Sequence, residues 1–229
     1  MEVKLSAETL EVLNYFQRIG QMIKFKKDND WISIVGGETI ASADISEEFP
    51  RDVNIYDLNE LMAIFNVVKE PTLDLTEDNI ITIKADGLQL RYIEGEGSNI
   101  KSVKNKPTLT SMPSVDVKLS LTLENIKKMN SLISTLKLPY VAFVGEEGKI
   151  YFKGFNKNVD SDKNEMNSCK ILLCDNETEF DSFAVVFSRE TLSYLTNDCE
   201  VYLSKHFINM FDFGNRQVFI TADKTLSSF

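Results

Sequence analysis

The sequence predicts an α+β fold in which two similar domains each pack two helices against antiparallel sheets. A strand–helix–strand pattern occurs at residues 52–76 and again at residues 184–203. Many short segments alternate apolar and polar residues between glycine-containing turns, which is typical of strands. Each half has only two helical patterns, which is too few for a doubly wound α/β fold, where helices alternate with strands.

The first helix is predicted at residues 6–19. Ser6 is a candidate N-cap, because its side-chain oxygen can accept a hydrogen bond from an N–H of the first turn. Glu8 places an acidic residue in that turn. Leu10 and Leu13 begin an apolar stripe at helical spacing, and Gly20 ends the pattern.

The second half of the chain repeats this design 116 residues later. Thr122 takes the place of Ser6 as the N-cap, and Ile126, Met129 and Ile133 form the apolar stripe. A short apolar strand precedes the helix in both halves. This repetition indicates one structural unit that occurs twice.

A second pair of helices is predicted within the two strand–helix–strand patterns. Asp57 caps one of them, and Ser188 caps the other, which carries Leu192 and Leu195. Their offset is 131 residues, 15 more than that of the first pair. We therefore expect an insertion in the second half, in the polar run at residues 156–167.

An extended connector is predicted between the two domains. Residues 104–117 contain two prolines and many polar residues without apolar periodicity, which is typical of a linker. Within this stretch we place the connector at 107–117, between an N-terminal domain at 1–106 and a C-terminal domain at 118–229.

The composition excludes several classes of protein. The formal net charge of −10 argues against a basic surface over the whole molecule but allows a local basic strip. No apolar run is long enough to cross a membrane. Three cysteines and an N-terminus without signal-peptide features lead us to expect reduced thiols in a cytosol.

No motif of a catalytic or metal site is evident in the sequence. His206 is the single histidine and has no partner at ligand spacing. The acidic run at residues 160–165 lacks the glycine and the final glutamate of a calcium loop. Cys169 and Cys174 lie five residues apart in one strand pattern, which predicts opposite faces and a packing role. We expect no enzyme, no metal and no cofactor.

Several longer motifs resemble the DNA polymerase sliding clamp of T-even-like bacteriophages. They are KLS (4–6), ADIS followed by VNIYDLN and an apolar helix (43–68), NKP (105–107), EGKIYFKGFNK with its trailing VDS (147–161), and a C-terminal strand that ends in AD before the final Phe229. Their order and spacing extend the resemblance over nearly the full length of the chain.

The resemblance implies a DNA clamp fold whose subunits close head to tail into a homotrimeric ring. The helices would line a hole around double-stranded DNA without reading its sequence, and the ring would tether the replicative DNA polymerase for processive synthesis. The implied partners also include an ATP-dependent clamp loader, with viral late-transcription factors as further candidates. The implied location is the cytoplasm of an infected bacterial host.

Helix positions and the resemblance together predict a DNA-facing set of basic residues. Its members are Arg18, Lys24, Lys127, Lys128, Lys137 and Arg189. They lie away from the apolar stripes or just beyond the helices, where cations can contact phosphates. Glu8, Glu11 and Glu60 on the other helices predict a thin and patchy lining. The alternative is that these are ordinary solvated helix faces.

The family implies two further surfaces. A hydrophobic pocket for partner peptides is expected near the connector and the C-terminal strand, and its predicted residues are Ile45, Met112, Pro113, Val218, Ile220 and Ala222. Each of them also fits a plain core position. Subunit contact is predicted between the edge strand at 166–174 and residues 98–103 of the neighbour. The predicted interface residues are Ile100, Val103, Cys169, Ile171 and Leu173.

Two other functions stay open at this point. One is a non-enzymatic, β-rich phage assembly or adaptor protein that oligomerises through strand edges without binding DNA. The other is a hydrolase that uses clustered carboxylates, although no pair can be nominated. Ring stoichiometry and polymerase run length distinguish the first from a clamp. Loss of turnover on substitution of a single carboxylate would identify the second.

Overall fold

The chain forms two compact units. The computed structural model describes residues 1–68, 70–85, 87–156 and 167–229. Unit 1 comprises Met1–Thr108 and Asn215–Val218, and unit 2 comprises Leu109–Gly214 and Phe219–Phe229. The insertion predicted at 156–167 and the acidic run at 160–165 fall mainly or wholly outside the described residues. The finer domain boundaries stay predictions.

Among its described residues, unit 1 has two α-helices, α1 (Ala7–Phe16) and α2 (Leu58–Val67). Both predicted caps are confirmed. Ser6 Oγ accepts the N–H of Thr9 at 3.1 Å, and a carboxylate oxygen of Asp57 accepts the N–H of Asn59 at 2.9 Å. Each helix buries one apolar face, which packs it into the core of the unit.

The strands of unit 1 form antiparallel sheets. They are β1 (Glu2–Lys4), β2 (Ile23–Phe25), β3 (Trp31–Gly36), β4 (Thr39–Asp44), β5 (Val53–Ile55), β6 (Thr72–Asp74), β7 (Ile80–Ala85) and β8 (Leu88–Ile93). One sheet has the order β1-β6-β7-β8, and another group has the order β5-β2-β3-β4. The rings of Phe25 and Phe49 stack in the core with 4.5 Å between their centroids.

The described part of unit 2 includes an α-helix, α3 (Leu123–Leu136), and a 3-10 helix at Arg189–Tyr194. Thr122 caps α3 as predicted, with its Oγ accepting the N–H of Asn125 at 3.3 Å. The 3-10 helix stands where a second α-helix was predicted. Ser188 makes no capping hydrogen bond to it, and its 6 residues are too few for an α-helix to propagate.

The strands of unit 2 are also antiparallel. Those within its ranges are β9 (Val117–Leu121), β10 (Tyr140–Glu146), β11 (Lys149–Phe155), β12 (Ser168–Asp175), β13 (Phe183–Ser188), β14 (Cys199–Leu203) and β15 (Ile208–Asp212), and β16 (Arg216–Thr221) has residues in both units. One sheet has the order β12-β11-β10-β13, and β14 pairs with β9 and β15. Phe143 stacks on Phe152 with 4.9 Å between centroids. The α+β prediction is confirmed.

A β-bulge in β12 corrects the prediction for two cysteines. Cys169 pairs with Gly154 and Cys174 pairs with Ile150, because the register shifts and leaves Leu173 without a partner in β11. One extra residue reverses the alternation of side chains, so both cysteines lie on the same face of the sheet. Cys169 is half-buried and Cys174 is exposed.

Candidate nucleic-acid interface

The two lysines predicted on α3 lie away from the core-facing side of the helix. Ile126, Met129 and Ile133 are buried, whereas Lys127 and Lys128 are exposed. The period of 3.6 residues per turn separates the two sets. α3 therefore presents two ammonium groups to solvent.

Arg189 joins this surface from the 3-10 helix. Its side chain is exposed, and its Nη2 donates to Ser134 Oγ of α3 at 3.3 Å. Ser134 lies two helical turns after Lys127 and hence on the same face. Lys137 follows at the C-terminal end of α3, where it is exposed with a φ of 53°. We call Lys127, Lys128, Lys137 and Arg189 the α3 basic face.

The two basic residues predicted in unit 1 have different surroundings. Arg18 is exposed just beyond the end of α1. Lys24 lies half-buried in β2, with its Nζ 2.6 Å from Asp52 Oδ2. The hydrogen bond from Lys24 holds the pKa of Asp52 below its usual range, so the carboxylate of Asp52 stays ionised at neutral pH. Lys24 is thus largely neutralised, whereas the charge of Arg18 faces solvent.

The exposed sides of α1 and α2 carry acids and amides instead. Glu8, Glu11 and Glu60 are exposed. Gln17 Nε2 donates to Asn59 Oδ1 at 3.0 Å, which links the end of α1 to the start of α2. These groups offer hydrogen bonds but no positive charge, so a phosphate would find little attraction on this side of unit 1.

The predicted interface residues of β12 lie on an edge strand. The unpaired backbone N–H and C=O groups of an edge strand can form hydrogen bonds with another subunit. Ile171 is buried, and Cys169 and Leu173 are half-buried. Leu172 is 50% exposed and is the large apolar side chain that this strand presents to solvent. Residue 166, where the predicted strand began, lies outside the described residues.

Residues 98–103, which the sequence analysis predicts to contact a neighbouring subunit, form no strand. Gly97–Asn99 form a 3-10 turn, and residues 100–103 belong to no strand. Ile100 is buried, and the carbonyl oxygen of Val103 accepts a hydrogen bond from Lys26 Nζ at 2.6 Å. Internal contacts therefore occupy groups that an edge strand would leave open.

The first sheet of unit 1 has two edge strands, β1 and β8, and apolar side chains are exposed along β8. A groove of about 710 Å³ runs along this strand, with apolar walls from α2 and β8. Val67, Leu88 and Ile93 are exposed by 84%, 49% and 77%. Exposed apolar side chains that line a common groove are typical of an interaction surface. The alternation at residues 88–93 predicts a strand, but it carries no signal for which face or edge stays uncovered.

Most residues of the predicted peptide pocket are buried. Ile45, Met112, Val218, Ile220 and Ala222 have exposures of 9% or less, and Pro113 is exposed. Ile45 and Val218 belong to unit 1, and the other four belong to unit 2. Such burial fits core packing as well as it fits a pocket floor. The pocket stays a prediction.

Within 1–68, 70–85, 87–156 and 167–229, no three His, Cys, Asp or Glu side chains are grouped so that they could hold a metal ion. His206 is exposed. None of the helices in those ranges is both long and apolar enough to span a membrane.

Solved structures define the class of this fold. A. fulgidus PCNA, determined with the C-terminal region of FEN-1, matches with a TM-score of 0.67 over 97% of this chain and 98% of that chain, at 12% identity. The H. pylori beta clamp matches with a TM-score of 0.69 over 98% of this chain and 63% of that chain, at 9% identity. At such low identity the likeness shows the fold alone, and that fold is the DNA clamp.

Similarity in sequence shows the family. The sliding clamp of Enterobacteria phage T4 is 30% identical over 161 residues, which are 69% of either chain. The sliding clamp of Vibrio phage KVP40 is 23% identical over 225 residues, 96% of this chain and 99% of the relative. No family model matches the chain. The chain belongs to the phage sliding clamp family, and the resemblance found in the sequence is confirmed.

Proposed function

We propose that this protein forms a homotrimeric ring that encircles double-stranded DNA and tethers the replicative DNA polymerase. The observation that carries the proposal is the α3 basic face, four exposed cations on or beside one helix of a chain with a net charge of −10. Membership in the sliding clamp family supports the same function.

The proposed contact with DNA is electrostatic. Lysine and arginine neutralise backbone phosphates without touching base edges, so the contact does not depend on sequence. A few such contacts are individually weak and exchange easily, which lets the ring slide. Topological closure then keeps the ring on the duplex, while acidic residues elsewhere disfavour DNA binding to other surfaces.

The ring is proposed to close through two strand edges. β12 is an open edge in unit 2, and β8 is an open edge in unit 1. If β12 of one copy pairs with β8 of the next, the contact is heterologous, and three such contacts can close a ring. The groove beside β8 would then cover Leu172, which is otherwise exposed on β12.

The ring works by holding its partners near the primer end. A tethered polymerase rebinds at high effective concentration, which is the physical basis of processivity. We include an ATP-dependent clamp loader and viral late-transcription factors among the partners. The proposal assigns no catalytic step and no cofactor to the chain, and it places the ring in the cytoplasm of the infected bacterial cell.

Light scattering over a concentration series tests the assembly. A trimer has a mass of about 78 kDa, three times the 26.0 kDa of one chain. Retention on circular DNA, with loss after linearisation, then tests encirclement. A chain that stays at 26.0 kDa at high concentration contradicts the ring. A trimer that leaves circular and linear DNA equally fast favours the assembly or adaptor protein instead.

A further inference from the structure

Residues 223–229 run along an edge of the sheet β12-β11-β10-β13. β13 ends this sheet on one side, so the outward-facing backbone groups of β13 need partners from elsewhere in the chain. The Ala184 N–H donates to the Ser228 carbonyl at 2.9 Å, and the Ser228 N–H donates to the Ala184 carbonyl at 2.8 Å. We call residues 223–229 the edge segment.

The edge segment also occupies the next outward-facing residue of β13. The Val186 N–H donates to Ser227 Oγ at 2.9 Å, and the Asp223 N–H donates to the Val186 carbonyl at 2.8 Å. Alternate residues of an antiparallel strand direct their backbone groups to the same side. All four outward-facing groups of Ala184 and Val186 are therefore satisfied, and the middle of this edge is closed to another strand.

Aromatic contacts hold the end of the edge segment in place. Phe229 stacks on Phe183 with 5.4 Å between ring centroids and meets Phe180 edge-on at 5.1 Å. These distances are typical of favourable aromatic pairs. Phe183 belongs to β13 and is 3% exposed. Loss of the Phe229 ring would therefore both loosen the edge segment and uncover an apolar ring on the strand beneath it.

Unit 1 closes the corresponding edge with different residues. β5 ends its sheet and precedes α2, as β13 precedes the 3-10 helix. The Asn54 N–H donates to Glu94 Oε2 at 2.9 Å, and the Gly95 N–H donates to the Asn54 carbonyl at 3.0 Å. Glu94 and Gly95 directly follow β8, as the edge segment follows β16. Both copies of the repeated unit thus cover the same edge, although the residues that cover it differ.

The other edge of the sheet in unit 2 is treated differently. β12 ends the sheet on that side, where the structure describes no further paired strand, and its Leu172 is 50% exposed. If β13 were open as well, β12 of one copy would be able to pair with β13 of the next. Such a heterologous contact adds copies one after another wherever its rotation does not close a ring.

We propose that the edge segment prevents a second copy of this chain from pairing its β12 with β13. Subunit contact is thereby restricted to edges that close a ring, because the competing contact is excluded. This inference rests on the proposed function in one point, the use of β12 for subunit contact. Release of the edge segment exposes the backbone groups of Ala184 and Val186 together with the ring of Phe183.

The test releases the edge segment in the full chain by the double substitution Ser228→Pro and Phe229→Ala. Proline has no N–H to donate to the Ala184 carbonyl, and alanine removes the stacked ring. Light scattering over a concentration series measures the mass. We expect the mass of the double variant to rise without a plateau and to reach at least about twice the wild-type mass at the highest concentration.

Ser228→Ala is the matched control, because it changes the same residue but keeps the N–H. Its mass should equal that of the wild type at every concentration. Equal masses of the double variant and the wild type would overturn the proposal, and so would equal growth of Ser228→Ala and the double variant. Circular dichroism checks folding, and Phe229→Ala alone replaces the double variant if that one unfolds.

A further substitution identifies the strand that pairs with the uncovered β13. Leu172→Lys places a charge on β12, and charges on an edge strand disfavour pairing with another chain. Added to the double variant, it should abolish the growth in mass. Growth that persists after Leu172→Lys would show association that does not involve β12, such as aggregation through the exposed ring of Phe183, and would overturn the proposal.

The proposed function is measured on the wild-type chain, so the two inferences can fail separately. A wild-type trimer whose double variant is also a trimer overturns the role of the edge segment alone. A wild-type chain that stays at 26.0 kDa contradicts the ring. Growth of the double variant that is sensitive to Leu172→Lys would support the role of the edge segment even then.

Discussion

The α3 basic face differs from other basic residues of the molecule, including Lys170 and Lys205 of unit 2, which are paired with Glu146 and Asp116. In unit 2 the α3 basic face presents its cations to solvent. In unit 1 several cations are paired with acids of the same unit, such as Arg51 with Glu94 and Lys84 with Asp74. A paired cation has little charge left to offer a phosphate. A count of lysines and arginines therefore does not indicate where a domain would contact DNA. The positions of exposed cations that are not paired with an acid of the same chain are a better guide.

The pair between Arg51 and Glu94 is the most internal of those in unit 1. The side chain of Glu94 has 0% exposure, its Oε1 lies 2.5 Å from Arg51 Nη2, and its Oε2 accepts the N–H of Asn54 at 2.9 Å. Arg51 also donates to the carbonyl oxygens of Leu75 and Glu77. One guanidinium group thus ties together separate segments of unit 1.

Glu94→Ala is expected to have the largest effect on stability. The substitution leaves Arg51 as a mostly buried charge without its carboxylate, which typically costs about 3–5 kcal/mol. We expect the free energy of unfolding, measured by urea titration, to fall by that amount.

Glu77→Ala is the control for an exposed pair in the same unit. Glu77 Oε2 lies 2.9 Å from Arg91 Nη2, and both side chains are mostly exposed. We expect this change to cost less than about 1 kcal/mol. Equal losses for the two variants would contradict the view that burial makes the Arg51 pair structural.

The double substitution Lys127→Ala and Lys128→Ala tests the surface of unit 2. Removing two phosphate contacts should weaken binding to duplex DNA roughly tenfold at low salt and reduce the slope of log K against log salt by about 1.8. Fluorescence anisotropy with labelled duplex, repeated over a salt series, measures both quantities.

Lys24→Ala is the matched control from unit 1. Because Asp52 already neutralises Lys24, we expect its removal to change DNA affinity much less than the double substitution does. A loss as large as that of Lys127 and Lys128 together would place β2 on the DNA surface and would remove the contrast between exposed and paired cations.

Signals close together in the chain predicted the helices correctly. Ser6, Asp57 and Thr122 each lie within three residues of the N–H groups that they cap, so the sequence itself contains both partners. Ser188, by contrast, makes no side-chain capping hydrogen bond, and the segment after it is a 3-10 helix.

Features that depend on distant partners could not be predicted in this way. Lys24 was predicted to face DNA from its position just beyond the first helix, and the sequence does not show that Asp52, on another segment, pairs with it. The face of Cys174 depends on a bulge that only the pairing of β12 with β11 reveals. The open edge at β8 is a property of the finished sheet, and the alternation of residues 88–93 does not reveal it. The sequence thus predicted the framework of the fold, whereas the exposure and the neutralisation of its basic residues depend on the folded structure.

Glu47 of unit 1 accepts hydrogen bonds from neutral donors, whereas Glu94 is paired with the guanidinium group of Arg51. Glu47 is 8% exposed, its Oε2 accepts the hydroxyl of Thr9 at 2.6 Å, and it also accepts the N–H of Ser6. Burial raises the pKa of Glu47, but the hydrogen bonds from Thr9 and Ser6 outweigh this effect, and the pKa is lowered overall. The carboxylate therefore stabilises the folded unit only while it is ionised.

Glu47→Gln is expected to have a smaller effect than Glu94→Ala or the double substitution of Lys127 and Lys128, and its effect should depend on pH. The folded-state pKa lies below the unfolded value of about 4.3, so the stabilisation is complete above that value and is lost as pH falls through the folded pKa. We expect Glu47→Gln to lower the free energy of unfolding by about 1 kcal/mol at pH 6 and by progressively less below pH 4.

The exposed neighbour Glu48 supplies the control, since Glu48→Gln should leave this pH dependence unchanged. Urea titrations of both variants and the wild type at several pH values give the comparison. A deficit for Glu47→Gln that stays constant down to pH 3 would mean that packing, and not the charge, stabilises this site. If the loss of stability caused by Glu47→Gln becomes smaller as the pH falls, unit 1 stabilises its acids with neutral donors as well as with cations. The cations of the α3 basic face, by contrast, are exposed to solvent.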